Sequence, residues 1–470
     1  MLCLASLFAA LIPYQEPAAT GPDPRPALVV QIVIDQLPAA TLEAALTRFP
    51  PGGFRYLAEH GTAFTACKYA HASTFTACGH ATLATGAHPQ THGLVANEWA
   101  DPVTGERHVY CVQTDAARVG DRVPGAGAGP GLLLVDTLAD HMGAQFGPSS
   151  LAFAVSGKDR GAVLLAGRHG KAFWHAGASG RFVSSRDYFP DDALPDWAQA
   201  WNEAGEVPGA EHGSGSRLRG KVWELQAGVD YHRLEADERI FETMAFGKVT
   251  FPYTLPANSA GRTNLLLRLT PFFDELTLDF TAALLDHEAL GRDAVPDFLG
   301  VSFSGCDYVG HLFGPFSLEA EDHLLRLDRT LARLLALLDR HVGLERVLVV
   351  LSSDHGVNQT PEQRQAWLGQ GGRISYSEVE ALAREALTRE LALPAEAVLE
   401  FWNPGLYLDQ AVLHAHDVDP ARAATVAARA LENHPGIRFA FSRAQLAAGR
   451  ADAGEVLDMV RRGYRADRSG

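Results

Sequence analysis

Asp35, Asp307 and Asp354 each stand just past an apolar run, and two of them come with a histidine: Asp307 with His311 in DYVGH, and Asp354 with His355 directly after it. Carboxylate and neutral imidazole are ligand types that zinc takes, and residues four apart on a helical turn present their side chains to the same side. A single aspartate after a strand is ordinarily a helix cap or a loop carboxylate. Three in equivalent positions, two of them with histidine, read instead as metal ligands. The stretch HASTFTACGHATLATGAHPQTHGLVANEW at 71–99 is dense in hydroxyls and small residues. That suits a nucleophile at the start of a helix, where free N–H groups face an anion. Ser73, Thr74 and Thr76 are equivalent on this ground, and a helix with locally satisfied hydroxyls would show the same composition. Lysine is confined to Lys68, Lys158, Lys171, Lys221 and Lys248. Lys158 and Arg160 in SGKDR follow an apolar run, so they either aim two cations at the same rim or stand solvated.

The elements that must position these groups are legible in outline. ALVVQIVID at 27–35, FLGVSFSGCD at 298–307 and RVLVVLSSDH at 346–355 read as strands buried on both faces, each ending in an acidic residue. Between the last two, Leu324, Leu327, Leu331, Leu334 and Leu338 recur at helical spacing behind a capping Ser317. Strand, helix, strand implies a right-handed crossover and a parallel sheet. SLAFAVSG at 150–157 and AVLLAG at 162–167 add at least one more strand. Ligands of open α/β sheets gather at the carboxyl ends of the strands, so Asp35, Asp307 and Asp354 are expected on one rim. The expected fold is α/β, with a mostly parallel central sheet flanked by helices and an inserted cap.

The expected division is a leader at 1–25, the first part of the core at 26–169, the cap at 170–262, the second part of the core at 263–360, a smaller insertion at 361–430 and a return to the core at 431–470. The cap is set off by Trp174, Trp197, Trp201 and Trp223 among Gly, Ser and charged residues. A chain of 470 residues, 47% of them hydrophobic, can bury a large core. Its net charge of −16, with no basic run, excludes a phosphate-tracking surface, so no nucleic-acid partner is expected. LCLASLFAALI at 2–12 is too short to span a bilayer and runs into a Pro-rich polar stretch, the pattern of an export signal. A periplasmic or secreted protein without stable membrane insertion is expected. Cys67, Cys78, Cys111 and Cys306 fit no Cys-x-x-Cys metal spacing.

In order, VIDQ, TFTACGHATLATG, HGLVANEW, SGKDRGAVLLAG, SFSGCDYVGHLFGP and SSDHGV resemble the PafA-type bacterial alkaline phosphatases. These are a threonine-nucleophile branch of the alkaline phosphatase superfamily, close to the nucleotide pyrophosphatase/phosphodiesterases. The likeness runs from about residue 27 to the C-terminus, cap included. The resemblance implies Thr76 as nucleophile, with Asn97, Lys158 and Arg160 holding the phosphate oxygens. It implies two Zn2+ ions, one held by Asp35, Asp354, His355 and the Thr76 oxygen, the other by Asp307 and His311. The family adds a C-terminal histidine in a His-Gly motif to this second site. The present sequence ends at GYRADRSG without that motif. His414, His416 and His434 stand in no matching context and read as surface residues. A truncated chain with an incomplete second site is therefore expected. The implied activity is hydrolysis of small phosphate monoesters through a phosphothreonine. A phosphodiesterase or nucleotide pyrophosphatase is the alternative, and a silent phosphate- or metal-binding protein is a third reading.

Overall fold

The computed structural model describes residues 25–101, 104–204, 218–231, 245–402, 405–449 and 453–470. Apart from Arg25, the expected leader lies outside the described residues. Seven strands form the central sheet: β1 Leu28–Ile34, β2 Arg118–Val119, β3 Ala152–Ser156, β4 Lys171–Ala176, β5 Arg181–Ser185, β6 Asp297–Phe303 and β7 Val347–Ser353. Their spatial order is β7-β1-β6-β3-β4-β5-β2. The first five in that order are parallel, and β5 and β2 join antiparallel. This is the expected mixed α/β architecture.

β1 and β6 are buried along their whole length, as a strand covered by helices on both faces must be. The expectation that β7 is buried in the same way fails. β7 is an edge strand, and Leu348 and Val350 are 49% and 43% exposed. Five helices carry or brace the residues of the rim: α1 Thr76–Thr85, α2 Asp159–Ala166, α3 Phe272–His287, α4 Gly305–Phe313 and α5 Leu318–His341. Ser317 accepts the Ala320 N–H at the start of α5, and Leu324, Leu327, Leu331, Leu334 and Leu338 are buried along its inner face.

Two further readings are corrected. AVLLAG at 162–167 is not a strand but the buried body of α2 and its C-cap Gly167. The few residues between β3 and this run are enough to turn the chain into a helix that packs on the sheet, and a short apolar run does not by itself reveal its period. The stretch from 170 does not begin as an inserted cap either, because β4 and β5 belong to the central sheet, where Phe173 and Phe182 are fully buried. What stands outside the sheet begins after Ser185. It includes the helix Asp196–Ala204 and the antiparallel pair Val222–Trp223 with Tyr253–Thr254. Trp223 Nε1 donates to Asp322 of α5 at 2.6 Å, and Tyr253 donates to Glu319 at 2.6 Å.

The described residues between 383 and 430 hold an apolar cluster of their own, which includes Leu387, Val398, Leu413 and Ala427. The C-terminal helix Gly454–Gly463 lies against the segment leading to α1: Ala72 N–H donates to Met459 at 3.0 Å and Arg462 to the Ala70 carbonyl at 3.1 Å.

Candidate active site

The strand register assembles the rim. Ile34 pairs with both Phe303 and Ser353, so Asp35 and Asp354 leave the sheet side by side, with Asp307 one short turn beyond β6. Ser302 pairs with Ser156, which puts Lys158, the N-cap of α2, at the same edge. Thr76 is the first residue of α1, and that helix lies directly on Asp354. A Cβ on Gly79 would sit 2.0 Å from the Asp354 carbonyl oxygen, so only glycine permits this approach. Tyr69 donates to the Ser353 carbonyl at 2.7 Å and fixes the preceding loop on the end of β7.

The structure thus brings together eight of the nine sequence-derived residues as buried or half-buried groups; the ninth, His311, is on the exposed side of α4. Ligand atoms of Asp35, Asp354 and His355 all lie within 4.8 Å of one another. Asp35 Oδ1 has no hydrogen-bond partner. Asp354 Oδ2 has no hydrogen-bond partner, and His80 Nδ1 lies 3.1 Å and His355 Nε2 3.7 Å from it. His355 Nδ1 lies 2.9 Å from the Gly356 carbonyl; a hydrogen bond there requires the proton on Nδ1 and leaves the Nε2 lone pair facing the two carboxylates. Unpartnered buried carboxylate oxygens beside an available imidazole nitrogen suit a small divalent cation, and this mixed oxygen and nitrogen set suits zinc.

The second cluster is Asp307 with His311, whose Nε2 is 3.1 Å from Asp307 Oδ1. Among the described residues no further His, Cys, Asp or Glu joins these two in a ligand group. His414 and His416 are exposed, and His434 is 3.3 Å from Glu378.

Lys158 is the electrostatic centre. Its ammonium is 2.5 Å from Asp35 Oδ2 and 2.5 Å from Asp307 Oδ2, and all three side chains are buried. Burial would lower the lysine pKa, but the two carboxylates overcome it and hold the ammonium charged. The carboxylates divide the benefit. Burial, with the Asp354 charge behind it, pushes Asp35 up to about 7 despite Lys158. Burial also acts on Asp307, but there the ammonium and the His311 hydrogen bond outweigh it and hold the carboxyl far below its usual range. Asp354 is likewise held low against its burial, chiefly by His80.

The Asn97 side-chain oxygen accepts the Ala77 N–H at 2.9 Å, which leaves its amide NH2 to donate elsewhere. Arg160 donates from Nη1 to the Tyr110 hydroxyl at 3.2 Å and keeps a buried, unpartnered Nε. Tyr110 in turn donates to Asp159 at 2.6 Å. The strand pair of Glu98 with Tyr110 thus places Tyr110, which holds the Arg160 guanidinium, on the segment that follows Asn97.

Sequence reasoning missed several groups that hold this arrangement. His80 lies 2.9 Å from both the Thr76 carbonyl and Ser302 Oγ, Gln36 touches Asp354, Asp307 and His311, and Tyr110 supports Arg160. The GHA and VIDQ motifs contained the first two, but no spacing rule marks a residue that acts through another. Near α4, Asp274 accepts the Gly305 N–H at 2.9 Å and lies 3.1 Å from His323, so the start of the helix bearing Asp307 is fixed from α3 and α5. Cys67, Cys78, Cys111 and Cys306 are free thiols.

The chain is similar in sequence and fold to several known proteins. The sequence model of type I phosphodiesterase / nucleotide pyrophosphatase matches residues 29–452. A Myroides odoratus protein named calcium-transporting ATPase is 31% identical over 95% of this chain and 80% of its own. Alkaline phosphatase PafA of Elizabethkingia meningoseptica is 33% identical over 72% of this chain and 61% of its own. The crystal structure of wild-type PafA matches with a TM-score of 0.86 at 30% identity, covering 96% of this chain and 85% of that one. A PafA variant with one threonine changed to serine, and an asparagine, a lysine and an arginine changed to alanine, gives the same TM-score at 29% identity. Among the described residues of this chain, no helix is long and apolar enough to cross a membrane.

Proposed function

The chain belongs to the type I phosphodiesterase / nucleotide pyrophosphatase family, with an alkaline-phosphatase fold, and on that premise we propose that it is a two-zinc phosphate monoesterase working through phosphorylated Thr76. The observation that carries the reading is the Asp35, Asp354 and His355 cluster, with its unpartnered carboxylate oxygens, docked against the helix that begins at Thr76. Thr76, Asn97, Lys158 and Arg160 are also the four residue types, in the same order, that are altered in the PafA variant.

Asp35, Asp354, His355 and the Thr76 oxygen would hold one zinc ion, and Asp307 with His311 would contribute to the other. Bound zinc supplies Lewis-acid charge that activates a hydroxyl and stabilises a leaving oxygen. Thr76 Oγ1 attacks phosphorus in line as the bond to the leaving oxygen breaks, and the threonine proton ends on the departing alcohol. Water then attacks the phosphothreonine, releasing inorganic phosphate and restoring the hydroxyl. The free Asn97 amide, the Lys158 ammonium and the Arg160 guanidinium hold the non-bridging oxygens, where fixed donors act on a highly anionic transition state. Export to the periplasm or medium belongs to the same reading.

A monoester carries one more negative charge than a diester, and the two cations favour it. The experiment compares wild type with the Lys158→Ala, Arg160→Ala double variant on a phosphate monoester and a diester with the same leaving group. One lost charged donor costs about 2–4 kcal/mol of transition-state stabilisation. The monoester rate should therefore fall by at least about 30-fold more than the diester rate. Equal losses would show that the pair is structural or contacts a group common to both substrates, and a wild type that prefers the diester would turn the assignment to the diesterase suggested by the family description.

A further inference from the structure

Tyr110 stands where two groups of the phosphate site meet. The strand Val109–Tyr110 pairs with Glu98–Trp99, and the Cys111 N–H donates to the Asn97 carbonyl at 3.0 Å, so the segment carrying Tyr110 is bonded to Asn97 itself. The Tyr110 backbone N–H is held in turn by Gln113 Oε1 at 2.9 Å. From this backbone the phenol reaches α2, where its hydroxyl donates to Asp159 Oδ1 at 2.6 Å and accepts Arg160 Nη1 at 3.2 Å. The direction of both bonds is fixed. A guanidinium can only donate, so the phenol oxygen accepts from it, and the single phenol proton goes to the carboxylate. Burial, with the Asp159 charge behind it, holds the phenol far above its usual range and keeps that proton in place.

Arg160 is affected in two ways. Asp159 is its neighbour in sequence, and a carboxylate in direct contact would neutralise the guanidinium and take up its paired N–H groups. Instead Asp159 Oδ1 accepts the phenol and, at 2.7 Å, the Arg160 backbone N–H, and among the described residues the guanidinium meets that carboxylate only through the phenol. Tyr110 also takes Nη1 and so leaves the edge made by Nε and Nη2, whose N–H groups run parallel. Nε is buried without a partner, and among the described residues the guanidinium makes no hydrogen bond besides the one to Tyr110. A parallel pair of N–H donors is the arrangement that grips two oxygens of one phosphate.

We propose that Tyr110 is a positioning residue that reserves Arg160 for phosphate: its phenol stands between the guanidinium and Asp159 and turns the Nε and Nη2 edge to the non-bridging oxygens. The role rests on the reading of Arg160 as a phosphate-binding group and does not depend on how many zinc ions are bound.

The test is calorimetric titration of inorganic phosphate, at a pH where it is dianionic, into zinc-loaded wild type, Tyr110→Phe, Arg160→Ala and the double variant. Phenylalanine keeps the ring and removes only the hydroxyl. Given the strength of hydrogen bonds to charged groups, Tyr110→Phe should weaken phosphate binding by at least about tenfold. In the Arg160→Ala background the same change should have no further effect, because the group it positions is gone. A general loosening of the fold would weaken binding in both backgrounds, so the comparison decides even where Tyr110→Phe lowers the melting temperature. Unchanged affinity in Tyr110→Phe, or equal losses with and without Arg160, overturns the role of Tyr110 alone. A wild type that binds no phosphate, or an Arg160→Ala variant that binds it as well as wild type, overturns the placement of Arg160 in the phosphate site and this role with it.

Discussion

Replacing Lys158 with alanine removes one cation from between two buried carboxylates, and the consequence depends on both metal and pH. The ammonium sits 2.5 Å from Asp35 Oδ2 and from Asp307 Oδ2, and neither aspartate is more than 5% exposed. Removing one partner of a buried ion pair costs about 3–5 kcal/mol, because the other is left charged and desolvated. Asp35 moderates the loss. Its carboxyl already sits at about 7, so at acidic pH it is neutral and repels nothing. Without the ammonium both carboxyl pKa values move up. A raised folded-state pKa withdraws stability as pH climbs above the ordinary carboxyl range near 4. The deficit of metal-free Lys158→Ala should therefore be small at pH 5 and approach about 3–5 kcal/mol at pH 8. Zinc loading supplies replacement positive charge and should shrink it. The assay is urea unfolding, followed by circular dichroism, of chelator-treated and zinc-loaded protein at both pH values. A deficit that is equal at pH 5 and pH 8, or larger with zinc, would refute the placement of this charge.

Asp274→Ala removes the acceptor of the Gly305 N–H at the start of α4 and leaves it buried, which should destabilise the fold by about 1–3 kcal/mol; Asp274→Asn, which keeps an acceptor, should recover most of the loss in urea unfolding. His71, His92 and His175 are buried, which pushes them down to about 4, 3 and 4 respectively. Groups kept neutral in the fold but protonated when unfolded contribute stability that is present above about pH 6.5 and lost on acidification towards pH 4. Stability should fall steeply over that window, and His175→Leu, in a site bounded by Phe182 and Phe273, should flatten the fall; an unchanged pH profile would contradict the buried neutral assignment.

The sequence carried the strands and the ligand pairs because both are local signals. Apolar runs ahead of Asp35 and Asp354 announce parallel strands, and Asp307 with His311 announces a helical turn. Position within the sheet is not local, so nothing in RVLVVLSS distinguished an edge strand from a central one. AVLLAG, being equally apolar as strand or helix, could not declare its period. KAFWHA and RFVSS fall within the expected cap because Trp174 stands among Gly, Ser and charged residues, whereas the fold makes both of them strands of the central sheet. In the site, residue types expected to touch phosphate or metal could be named in advance. Those acting through them could not: Gln36, His80, Tyr110 and Asp274 are recognised by distances across the fold, and nothing in SGKDR announces that Lys158 bridges two carboxylates.

The most direct measurement is where phosphate resides during turnover. Protein incubated with zinc and a phosphate monoester is quenched in acid and digested, and the peptide spanning residues 71–99 is examined by mass spectrometry. The account predicts phosphate on Thr76, absent in Thr76→Ala and retained in Thr74→Ala. Thr76→Ser should keep some activity, since it retains the oxygen and loses only the methyl that restricts χ1. Phosphate on Ser73 or Thr74, or full turnover by Thr76→Ala, would contradict it.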